Sequence, residues 1–114
     1  MYVFTENAFL SLVAHERDER LLEVRAQFKG DIERTFPESE VGYDPSAEFP
    51  YSTSVPRDRV AERIALRVQH IGYRRFNPNS EEPWRQEAYS QVETVLRMCH
   101  RDLPPGAESS ALNN

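Results

Sequence analysis

The stretch "FLSLVAHERDERLLEVRAQF", residues 9–28, decides the fold, because two apolar runs flank the charged connection "ERDER". In the second run Leu22, Val24, Ala26 and Phe28 alternate with Glu23, Arg25 and Gln27. That period of two is the signature of a strand with one buried and one wet face. The first run puts Leu10, Leu12 and Ala14 on the face to be buried. Its other face carries Phe9, Val13 and His15, less polar than a solvated surface requires. A short polar connection between two such runs predicts a hairpin, and a hairpin predicts antiparallel pairing.

Working outward, "YVFT" (2–5) reads as a further strand before the turn-prone "ENA". "GDIERTFP" (30–37) predicts one or two helical turns, with Asp31 as the cap, Ile32 and Phe36 on one side and Pro37 as the stop. Residues 37–50 are acidic and punctuated by proline, which predicts an exposed loop with a short extended piece at 41–43. Phe49, Tyr51, Thr53 and Val55 then alternate with Ser52 and Ser54. Pro50 cannot donate to a ladder and so assigns this strand to the sheet edge.

"PRDRVAERIALRVQHI" (56–71) predicts a helix with an apolar stripe of Val60, Ile64, Val68 and Ile71, flanked by Ala61 and Ala65. A second helix begins near "SEEPW", with Ser80 as the cap and Pro83 in the first turn. Trp84, Ala88, Val92, Val95 or Leu96, and Cys99 carry its stripe to "DLPPG". The order predicts an α+β fold, a mainly antiparallel sheet of about four strands with two longer helices packed on one face. One domain is expected over residues 1–103, followed by a flexible tail over 104–114.

The chain has 114 residues, 39% of them hydrophobic and 29% charged, enough for one packed core. A net charge of -5 argues against a general attraction to nucleic acid or to anionic membrane. No apolar run reaches the ~20 residues of a membrane span, and the first residues carry no basic segment ahead of a long apolar one. A cytoplasmic protein is expected. The lone Cys99 excludes an internal disulfide framework and is expected to be a buried structural thiol.

The strongest candidate for function is an arginine ladder. Arg59, Arg63 and Arg67 recur every four residues, and His70, Arg74 and Arg75 continue past the helix end. Like charges at that spacing repel, so the ladder implies either an acidic partner or an acidic part of the same chain. Tyr51 and Tyr73 join the candidates for partner binding, since aromatic and arginine side chains anchor interfaces. Phe76 and Trp84 are expected to be packing residues. His15, His70 and His100 are too scattered for a metal site, and no phosphate-binding glycine loop or nucleophile turn is present; no cofactor, metal or catalytic residue is expected.

The phrases "MYVFTENAFLSLVAH", "LLEVRAQFKGDIERTFP", "FPYSTSVPRDRVAERIA" and "AYSQVETVLRM", with the spacing of Ile71, Tyr73 and Phe76, resemble a group of small uncharacterised bacterial proteins. The resemblance spans residues 1–98 and brings no activity and no catalytic residue with it. The expected function is a non-enzymatic protein-interaction or regulatory module. Its partner is another protein, or a second copy paired as a homodimer through the edge strand at residues 49–55. One alternative is a small acidic inhibitor, for instance of phage origin, that occupies a basic site on a host enzyme through Glu38, Glu40, Asp44 and Glu48. The other is an enzyme whose site has no recognisable motif.

Overall fold

A computed structural model describes residues 1–78 and 81–106, and the chain divides into two compact units, Met1–Asn77 and Pro78–Asn114. In the first unit, strands β1 (Tyr2–Thr5), β2 (Ala8–Ala14) and β3 (Leu21–Ala26) are followed by the short helix α1 (Asp31–Thr35). Strands β4 (Gly42–Tyr43) and β5 (Tyr51–Pro56) then lead into helix α2 (Arg57–Gln69). All five strands form one antiparallel sheet in the order β1-β2-β3-β5-β4. The fold is α+β, with one strand more than the sequence suggested.

Register places the core. Val3 lies opposite Leu10, Leu12 opposite Val24, and Leu22 opposite Val55. All six therefore share one face, and Ile32 and Phe36 of α1 and Val60 of α2 close over it. The predicted alternation in β3 holds for Val24 and Ala26, both fully buried, while Phe28 lies past the strand end and is exposed. The β2–β3 connection is organised by its own residues: His15 Nδ1 accepts the backbone N–H groups of Arg17 and Asp18, each at 3.1 Å.

On the opposite face the aromatics of β1 and β2 cover one another. Phe4 stacks on Phe9 at 4.5 Å between centroids, and Tyr2 meets Phe9 edge-on at 5.2 Å. Arg25 lies 4.5 Å over the ring of buried Phe49 and donates to Ser11 Oγ at 2.9 Å. This explains the apolar character of Phe9 on the face expected to be wet.

The expectations for β5 and α2 are corrected first. β5 is not an edge strand, because residues 40–44 run along its outer side. Gly42 and Tyr43 pair with Ser52 and Tyr51, and Glu40 C=O accepts from Thr53 Oγ1 at 2.9 Å. Pro50 precedes the paired residues and costs no ladder bond; its own carbonyl accepts from Asp44 N–H at 2.8 Å. The outer edge of the strand at 49–55 is thus already occupied over residues 51–53. The second correction concerns α2. Val60 is buried and Ile64 half-buried, but Val68 and Ile71 are 61% and 51% exposed, while Arg63 and Arg67 turn inward instead. Positions 60, 63, 64 and 67 also lie on one helical face, and the second half of α2 faces polar chain rather than sheet.

In the second unit, α3 (Pro83–Arg101) starts at the expected proline, with Glu82 at its N-cap; the predicted cap Ser80 lies outside the described residues, as do residues 107–114 of the expected tail. Its buried positions are Arg85 and Tyr89 rather than the predicted Trp84 stripe, one residue around the helix. Arg85 Nε donates to Glu82 Oε1 at 2.9 Å, its Nη1 donates to the Tyr89 hydroxyl at 3.1 Å, and the guanidinium lies 4.6 Å over the Trp84 ring. Trp84, Val92, Val95 and Leu96 are exposed, and so is Cys99, which is therefore not the buried thiol expected. No helix among the described residues is long and apolar enough to cross a membrane.

Asp31 does not cap α1. The N-cap is Gly30, whose φ of 94° is a left-handed conformation suited to glycine. The fully buried Asp31 carboxylate instead accepts Phe9 N–H at 2.9 Å through Oδ2 and lies 3.5 Å from Arg34 through Oδ1. Met1 and Leu12 exchange backbone hydrogen bonds, so by alternation Leu10 and Ala8 face β1 while Phe9 faces the β3 side. There β3 has already ended at Ala26, and Asp31 replaces the missing strand partner. Asp31→Ala is expected to lower unfolding free energy by about 2–3 kcal/mol, the cost of stranding a buried donor and breaking a charged hydrogen bond. Asp31→Asn, which keeps an acceptor oxygen, should recover part of it. A urea midpoint unchanged in Asp31→Ala would show that Phe9 N–H finds another partner.

Candidate functional site

Helix α2 begins directly where β5 stops, with Asp58 in its first turn where a carboxylate suits the positive helix end. At the other end, His70 closes the helix twice. Its backbone N–H reaches Leu66 C=O at 3.1 Å, and Nδ1 lies 2.7 Å from the same oxygen. A carbonyl can only accept, so Nδ1 is the donor in this contact.

Between the second half of α2, the end of β1 and the end of α1 lies an open groove of about 560 Å³. Val3, Ile64, Val68, Ile71 and Tyr73 supply much of its apolar wall. Val68, Ile71 and Tyr73 are about half exposed, so apolar surface gathers on this wall. Among the described residues the polar wall holds three guanidiniums, Arg34, Arg63 and Arg67, against one carboxylate, Glu6. β1 is at the sheet edge among the described residues, and the alternation that points Val3 toward β2 points the backbone groups of Tyr2 outward.

The arginine ladder divides on inspection of its contacts. Arg67 is a strut. Its Nη1 donates to Glu6 Oε1 at 3.3 Å and to Asn7 Oδ1 at 3.2 Å; its Nη2 donates to Arg34 C=O at 3.2 Å and to Thr35 Oγ1 at 3.4 Å. One side chain thereby ties α2 to the β1–β2 turn and to the end of α1. Arg34 reinforces it by donating to Asn7 C=O at 2.6 Å. Arg59 hydrogen-bonds Glu38 outside the groove, and Arg63 shares that carboxylate from 3.6 Å. One carboxylate thus serves two guanidiniums.

Among the remaining candidates, Tyr73 joins Arg63 and Arg67 in the groove and meets Phe76 edge-on at 6.0 Å. Arg74 and Arg75 form an exposed bend after it. Tyr51 is elsewhere, in β5, packed beside the core and against Tyr43 at 5.0 Å. Glu6, Asn7 and Thr35 escaped the sequence reading; the ladder called for an acid, but the Glu6 partner is 61 positions away. Among the described residues no three His, Cys, Asp or Glu side chains gather in a way that could hold a metal ion.

Glu38 is exposed, and its carboxyl is held below the usual value of 4.5 by a hydrogen bond from its own backbone N–H first, and by Arg59 and Arg63 after that. Stability from a carboxyl depressed in this way is complete above its unfolded value and is lost as pH falls through the lower folded one. The Glu38 link should therefore weaken only in the acid range below 4.5. NMR titration of the Glu38 side chain should give a depressed midpoint that rises only in part in Arg59→Ala. Stability should separate the two arginines: Arg67→Ala is expected to cost about 1–3 kcal/mol and Arg59→Ala under about 1 kcal/mol. Equal losses by chemical denaturation would refute the strut.

No family model matches this chain, and no curated protein and no solved structure is significantly similar to it.

Proposed function

We propose that the protein is a non-enzymatic interaction module, working in a reducing compartment, and that it takes a segment of a partner protein into the groove between β1 and α2. The observation that carries this reading is the coincidence of an edge strand with half-exposed apolar side chains from α2 and the chain after it. An edge strand supplies backbone hydrogen-bonding groups and an adjacent apolar groove supplies side-chain pockets, the two requirements for holding a peptide segment. Single exposed apolar residues need no explanation, but a cluster rimmed by charge marks an interaction surface.

The acidic-inhibitor reading has less support. Of its four residues Glu38 is engaged by Arg59 and Arg63, and Asp44 accepts from the backbone and hydroxyl of Ser46.

Val68→Glu tests the proposal, because Val68 is exposed enough for the variant to stay folded. A partner captured by the native protein and identified by mass spectrometry should be lost with Val68→Glu and kept with Glu48→Lys. Its binding should also shift the amide resonances of Val3, Ile64 and Tyr73. The reverse pattern, loss with Glu48→Lys and retention with Val68→Glu, would sink the groove and support the acidic surface.

A further inference from the structure

Resting on the groove as the docking site, we infer that its occupant is an extended segment of a partner protein, paired antiparallel or parallel along the outer edge of β1, with an acidic side chain held by Arg63. The charge balance supports this choice of occupant. The molecule carries a net -5, yet among the described residues the groove presents three guanidiniums and one carboxylate, a sign opposite to the whole. Arg67 is consumed by four internal hydrogen bonds, and the Arg34 guanidinium is tied to Asp31 and to Asn7. Among the described residues Arg63 has only a 3.6 Å approach to a carboxylate that Arg59 already holds. A guanidinium presents five donors in a planar fork suited to a carboxylate. Arg63 is therefore the cation with donors to spare, and it stands one position before Ile64 on the groove wall.

Geometry supports an extended segment over a helical one. A strand added to β1 would use the outward backbone groups, those of Tyr2 among them, and would send alternate side chains toward α2. Positions two apart in that segment would meet the apolar wall formed by Val3, Ile64 and Val68 and then the Arg63 fork. The recognised pattern is an alternation of apolar side chains with an acid at one fixed place. Basic segments are disfavoured by the same three guanidiniums, which gives the site a sign preference as well as a shape.

Selection of random dodecapeptides on the immobilised native protein tests this. The expected product is a family of peptides with apolar residues at alternate positions, one fixed Asp or Glu, and no proline among the pairing residues. Replacing that acid by Lys should weaken binding about tenfold or more, the scale of one desolvated charge-assisted contact. Arg63→Gln should erase the difference between the acidic and Lys peptides while leaving the thermal midpoint nearly unchanged. Bound peptide should slow hydrogen exchange at Tyr2. Selected peptides with apolar residues at helical spacing, a basic or uncharged consensus, no enrichment at all, or full charge preference retained in Arg63→Gln would each overturn the inference. None of those outcomes bears on the partner capture blocked by Val68→Glu, so the docking site and the chemistry of its occupant fail separately.

Discussion

The buried carboxylate of Asp31 is the constraint on which the first unit is built. It takes the backbone N–H of Phe9 at the point where β3 has run out, and so fixes α1 against β2 with a charged hydrogen bond. Taking an ionised group out of water is costly, and it is tolerated only where the geometry returns the loss through partners. Here the partners include the Phe9 backbone donor and Arg34. Once α1 is fixed, Ile32 and Phe36 fall onto the sheet face and the core closes. Arg34 is at the same time held where it can reach Asn7 C=O, so a single acid sets both the core and the position of the β1–β2 turn.

The groove follows from that arrangement. With the turn and the end of α1 tied together, Arg67 reaches both from α2 and closes a polar triangle. The inward face of α2 at that level must then be polar, and the apolar side chains at 68 and 71 are displaced outward into the groove wall. Exposure of these residues is a consequence of where the strut lies. A helix rotated to bury Val68 would have to release four hydrogen bonds made by Arg67, in surroundings where an unpaired guanidinium is expensive.

Local pattern made much of this fold legible. The hairpin at 9–28, the short helix at 31–35 and the long helix from 57 all declare themselves within a few residues, because period, turn chemistry and proline act locally. The place of β5 was hidden for the opposite reason. The two-residue strand Gly42–Tyr43 falls on the short extended piece expected at 41–43, but nothing local announces its pairing with β5, and that pairing removes β5 from the edge. Asp31 sat beside Gly30 at a helix start, where capping is the ordinary role, and its true partner is 22 positions earlier. In α2 two overlapping faces compete, one apolar at 60, 64, 68 and 71 and one mixed at 60, 63, 64 and 67. Only the polar floor beneath the helix decides between them. Of the candidate residues, Arg63, Arg67 and Tyr73 do share one site, whereas Tyr51 belongs to the core margin.

Arg59, Arg63 and Arg67 have the same chemistry and the same helical spacing, yet what each one meets makes them three different residues. Arg59 is an exposed ion pair, of the kind that contributes little to stability. Arg67 is mostly buried, with each terminal nitrogen donating twice, and its removal leaves several acceptors unmatched. Arg63 lies between them in sequence but is the least satisfied of the three, sharing a carboxylate that its neighbour already holds. A run of like charges on one helix face is energetically coherent only if each member finds a counter-charge, and among the described residues Arg59, Arg63 and Arg67 meet two carboxylates, Glu38 and Glu6, one short of the run. That deficit is located at Arg63, beside the apolar wall and the edge of β1, where a segment from outside could supply the missing carboxylate, its own backbone pairing and its apolar side chains together.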